Sequence, residues 1–94
     1  MIFITAAQIR AARAMLRWSA EELAERARVG VATVRRAEVQ EGIPTLAPRT
    51  ALAERQTFEM AGIGFIRASA RGGPGVRVAS APRGVSWRNE LRSK

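Results

Sequence analysis

Residues 19–38, SAEELAERARVGVATVRRAE, constrain this chain more than any other stretch. Ser19 followed three residues later by Glu22 is a capping-box pattern, which starts a helix at about residue 20 with Glu21 and Glu22 well placed against its dipole. Leu23, Ala24 and Ala27 supply its apolar side, and the two alanines admit a close neighbour. The helix should end near residue 27. Gly30 then stands in the N-cap position of a second helix over 31–39, whose inner face is Val34 and Ala37. Helices this short owe their stability to packing, so the rest of the chain must supply a core for the pair.

The flanking sequence offers one. Thr5-Ala6-Ala7-Gln8 is another capping box, starting a helix near residue 6. At 100° per residue Ile9, Ala12 and Leu16 fall within about 60° of each other, and Arg10, Arg13 and Arg17 fall within about 60° on the adjoining arc. Arg13 lies on the border, where its stem packs and its guanidinium must find a partner. Trp18 reads as a core plug. A loop through Pro44 and Pro48 leads to a last helix over about 49–61, in which Leu52, Phe58 and Ala61 read as buried while Glu54, Arg55 and Gln56 interrupt the stripe. Gly62 is its C-cap. Residues 63–68 and 76–79 read as strands joined by a turn at 71–75, a β-hairpin too small to stand alone. It should pack on the last helix or pair across a dimer. The expected fold is mainly α: about four helices forming a domain at 1–62, a hairpin extension at 63–79 as a candidate dimerisation element, and a basic, flexible tail at 80–94 with Trp87 as its one anchor.

Composition narrows the chemistry. Sixteen Lys+Arg against eight Asp+Glu give a formal net charge of +8, and fifteen of the sixteen are Arg. Clustered cations attract a polyanion and release its counterions, and arginine's planar fork suits phosphates and guanine edges. Cys, His and Asp are all missing, which removes disulfides, thiolate zinc sites and imidazole acid–base catalysis. The expectation is no enzyme, no cofactor and no metal. No apolar run approaches the roughly 20 residues of a membrane span, and Met1-Ile2-Phe3-Ile4 is too short for a signal-peptide core, so a cytoplasmic protein is expected. The GGPG at 72–75 lacks the Lys-Ser/Thr of a phosphate-binding loop and opens no helix.

Leu23-Ala24, Ala27, Val29, Thr33, Val34 and Ala37, followed by Glu38, Gly42-Ile43-Pro44 and Phe58-Glu59-Met60-Ala61-Gly62-Ile63-Gly64-Phe65, form a jointly spaced set. On these residues the chain resembles the Cro and lambda-repressor type of helix-turn-helix regulator, the XRE-like family, over about residues 5–78. The resemblance implies a lambda-repressor-like helical domain in a bacterial or phage-like setting, with the second helix of the motif reading DNA. It also implies a bridge from an arginine of the first helix to the glutamate that closes the recognition helix, here Arg13 and Glu38. Two positions depart from the family pattern. Arg28 occupies the tight turn where glycine usually takes positive φ, and Ala20 stands where many members carry a glutamine that contacts the DNA backbone.

The helical wheel points the same way. With Val34 inward, Ala32 and Arg36 project outward near 160° and 200°, flanked by Arg35 and Val31, at about 100° per residue. Val31, Ala32, Arg35 and Arg36 are therefore the candidate base-reading residues. Arg36 can bond O6 and N7 of a guanine, and Val31 and Ala32 can only pack against thymine methyls. Ser19, Thr33, Arg10 and Arg17 are the candidate phosphate contacts. Glu38 points partly inward, and a lone buried carboxylate is costly, so Arg13 is its expected partner.

Two functions of different class fit. One is a sequence-specific double-stranded DNA-binding transcriptional regulator, a repressor acting as a homodimer on an inverted repeat. The other is an antitoxin or antiactivator with the same fold that binds a protein through the hairpin and tail. RNA binding fits less well, since the five aromatics form no stacking platform.

Overall fold

The computed structural model describes residues 4–79. Four helices, α1 (Ala6–Leu16), α2 (Ala20–Ala27), α3 (Val31–Glu38) and α4 (Pro48–Met60), precede two strands, β1 (Ile63–Ile66) and β2 (Gly75–Val78). The expected tail at 80–94 and its Trp87 lie outside the described residues.

Side-chain caps set where the first two helices begin. Thr5 Oγ1 accepts from the Gln8 amide at 3.0 Å and Gln8 Oε1 accepts from the Thr5 amide at 2.8 Å, a complete capping box. Ser19 Oγ accepts from the Glu22 amide at 3.0 Å, but Glu22 turns outward to Arg26 and does not close the box. The i,i+4 pairing leaves the Ser19 cap half of what its spacing suggests. α3 begins at Gly30 with no side-chain cap, and α4 carries a proline in its first turn, where the absent N–H costs nothing.

Both α1 and α2 end in the same way. Arg17 and Arg28 occupy the left-handed region with φ of 56° and 59°. In each case two backbone bonds close the helix: Arg17 N to Ala14 O at 3.1 Å with Trp18 N to Arg13 O at 2.9 Å, and Arg28 N to Glu25 O at 3.3 Å with Val29 N to Ala24 O at 2.9 Å. This is the Schellman closure, normally made by glycine. Arg28 thus keeps the turn geometry that the family pattern assigns to glycine, and Arg17 repeats it unannounced by any sequence signal.

The strands pair antiparallel with Ile63 opposite Val78 and Ile66 opposite Gly75. β1 stops two residues short of the expected 63–68 and β2 is shifted one residue from the expected 76–79, because residues 67–74 form a loop pinched shut by reciprocal backbone bonds between Ser69 and Gly72. The hairpin is not free of the helices. Gln8 Nε2 donates to Ile66 O at 3.2 Å and to Gly75 O at 2.9 Å, tying the mouth of the loop to the start of α1. Ile63 is fully inside the core, and Phe65, Val76 and Val78 pack against it.

The core gathers Ile4, Ile9, Ala12, Leu23, Ala24, Ala27, Val34, Phe58 and Ile63, with Trp18 stacked on Phe58 at 5.8 Å and Phe65 edge-on to the same ring at 6.0 Å. α4 departs from expectation here. Its buried residues are Glu54 and Phe58, one turn apart, while Leu52 is 36% exposed and Ala61 only half-buried. Two residues of helix separate Leu52 from Glu54 by about 160°, so the inward choice of Glu54 puts Leu52 outside. Among the described residues no helix is long and apolar enough to cross a membrane.

Candidate nucleic-acid interface

α3 is held from behind. Glu38, its last residue, accepts from Arg13 at both carboxylate oxygens, Nε to Oε2 at 2.7 Å and Nη2 to Oε1 at 2.6 Å. Arg13 Nη1 also donates to the Trp18 carbonyl at 2.9 Å, so one guanidinium links α1, the α1–α2 connection and the end of α3. Hydrogen bonding to Glu38 holds Arg13 above its ordinary value, against the opposing effect of burial. Arg10 adds a further clamp, its Nη1 donating to the Glu38 carbonyl. The Arg10 guanidinium thereby completes a carbonyl at the helix C-terminus, which has no partner within the helix, a contact that the expected phosphate role did not include.

The opposite side of α3 is open. Ala32, Arg35, Arg36 and Val39 are exposed, while Val34, Ala37 and Glu38 are buried, so the exposed residues fall on one face at helical spacing. Val31 differs from expectation. It is half-buried and packs against the core, which leaves Ala32 and Val39 as the apolar residues of the exposed face. Arg36 is exposed, with Nη2 only 3.4 Å from Thr33 Oγ1, a long contact that leaves most of its donors free for another partner. Arg35 instead forms an ion pair with Glu21 at the start of α2. Both side chains are more than half exposed, and a surface pair of this kind is weak enough to exchange for a phosphate or a base. Glu21 is itself held below its ordinary value, by its own backbone amide first and by Arg35 second.

The remaining candidates come from three elements. Ser19 caps α2 and is exposed, half-buried Thr33 lies in the first turn of α3, and Arg17 projects from the left-handed end of α1. Two participants escaped the sequence reading. Val39 is 83% exposed and lies four residues past Arg35 and three past Arg36, a continuation of the face that the helical wheel contained but that ended one residue early. Glu21, as the partner of Arg35, is a pairing between two helices that no local spacing encodes. Comparison of the chain with protein-family models, with curated proteins and with solved structures finds no match.

Proposed function

We propose that the chain is a sequence-specific double-stranded DNA-binding transcriptional regulator of the Cro and lambda-repressor kind, a repressor acting as a homodimer on an inverted repeat with α3 in the major groove. One observation carries the reading. α3 is bonded to α1 through Arg10 and Arg13 on one side, and on the other it presents Ala32, Arg35, Arg36 and Val39 with no part in the core. A helix fixed rigidly behind and left cationic and small in front suits insertion into a groove, where arginine bonds guanine and alanine meets a thymine methyl. The two-helix unit α2–α3 with a tight turn is the arrangement that delivers such a helix. The net charge of +8 supplies the sequence-independent attraction to phosphates.

A single domain of this size covers little DNA, so useful affinity calls for two copies on two half-sites. Selection of bound sequences from a random DNA pool at near-physiological salt tests the reading. The expected product is a two-fold symmetric motif whose half-sites are about one helical turn apart. A featureless pool would sink it.

A further inference from the structure

The DNA-binding reading makes no use of Glu54. Its side chain is completely buried, and neither carboxylate oxygen has a hydrogen-bond partner. It stands one turn before Phe58, which stacks on Trp18, whose carbonyl accepts from Arg13. The charge that acts on it is the Glu38 carboxylate at the end of α3, already held by Arg13. The two elements packed most closely against α4, α2 and β1, bring no cation to it among the described residues. β1 has no titratable side chain, and on α2 Glu22 pairs with Arg26, Arg26 lies 4.5 Å over the outer face of Trp18, and Glu21 and Glu25 are exposed. On α4 itself Arg55 is bonded to Glu59. Glu54 thus lies within reach of the Glu38 charge with no hydrogen-bond partner of its own.

We propose that Glu54 is a proton-operated release for α3: neutral, it leaves the Arg13–Glu38 pair undisturbed, and ionised, it repels Glu38, loosening the C-terminal end of α3 and weakening DNA binding. The proton leaves to solvent and no other bond changes. Burial, and then the Glu38 charge, push the Glu54 carboxyl up to about 7, which puts the event in the neutral range. The chain has no histidine, so no side chain of ordinary affinity for protons titrates there in competition.

The affinity part rests on the DNA-binding reading, whereas the loosening of α3 does not, so two measurements are paired. The first is DNA affinity of the wild type, Glu54→Gln and Glu54→Leu at pH 6 and pH 8, at fixed salt. The wild type is expected to bind at least about fivefold more weakly at pH 8, the low end of ordinary coupling between sites, and both variants to change by less than about twofold. The second is hydrogen exchange without DNA, as protection factors referenced to unstructured-peptide rates at each pH. In the wild type Ala37, Glu38 and Val39 should lose protection at pH 8 while Leu23 and Ala24 of α2 keep theirs, and neither variant should show this contrast. Wild-type protection that is independent of pH, or lost equally in α2 and α3, overturns the release. So does a wild-type affinity that does not change, or a variant that tracks the wild type. If no DNA binds at either pH the regulator reading fails by itself, and the exchange contrast decides the release.

Discussion

Arg17 and Arg28 show most sharply what a single residue contributes here. Each holds a left-handed φ that an L side chain adopts at a cost on the order of 1 kcal/mol, and glycine adopts freely. Arg28→Gly should therefore raise the thermal midpoint by roughly 4–8 °C, the shift that 1 kcal/mol produces in a domain of this size. A differential-scanning measurement that shows an unchanged or lower midpoint would mean that the Arg28 side chain offsets its own backbone. Arg17→Gly shares the backbone gain but removes an exposed cation that is a candidate phosphate contact. Under the regulator reading it should stabilise the fold and at the same time reduce the slope of log affinity against log salt by about one, for all sequences alike. Arg36→Ala should behave differently, relaxing the preference at one base position by about 1–3 kcal/mol of discrimination, as read from the selected motif. The same two arginines mark a limit of legibility. Arg28 was visible because a family pattern puts glycine at that position, whereas nothing around Arg17 signals a left-handed residue.

Between elements, the decisive connection is from α1 to α3. Arg13 and Glu38 are mostly buried and joined by two hydrogen bonds, so removing one partner strands the other. Glu38→Ala should cost about 3 kcal/mol in denaturant unfolding, and the double change Arg13→Met with Glu38→Leu should recover most of it. A double-mutant cycle with a coupling energy under about 0.5 kcal/mol would show that the contact does not brace α3. The pair was legible because helical periodicity places Glu38 inward and Arg13 at a core border, and a buried carboxylate demands a cation. The same logic fails for Arg10, which satisfies a backbone carbonyl of α3, since side-chain periodicity carries no information about distant carbonyl groups. It fails again at α4. There a stripe of Leu52, Phe58 and Ala61 competes with Glu54 and Phe58 for the inner face, and tertiary packing of Phe58 between Trp18 and Phe65 selects the rotation that buries the carboxyl. Helix starts were well marked by Thr5 and Ser19, but the strand ends depended on the Ser69–Gly72 closure, a contact with no compositional signature.

At the scale of the whole molecule, the buried Glu54 sets how stability depends on pH. Its carboxyl is raised from an ordinary 4.5 to about 7, chiefly by desolvation, so the folded chain holds a proton that the unfolded chain has released. The folded state therefore binds more protons between those values, and linkage makes stability fall as pH rises through the window. The contribution is fully present below pH 4.5, declines towards pH 7 and is lost above it. At about 1.4 kcal/mol per pH unit the loss amounts to about 3 kcal/mol. Glu21 works in the opposite sense, since its lowered value adds stability that is lost only in acid, and its exposure keeps that effect small. The wild type should thus be more stable at pH 5.5 than at pH 8, whereas carboxylates held in ion pairs stay ionised throughout that range and leave the profile flat. Glu54→Leu removes both the buried charge and the unpaired polar atoms, and it should be more stable than the wild type at pH 8 with a nearly flat profile from pH 5.5 to 8. Urea unfolding across that range measures both. A wild-type profile as flat as that of the variant would show that Glu54 finds a partner, or water, when it ionises. Its burial would then impose no penalty on the fold.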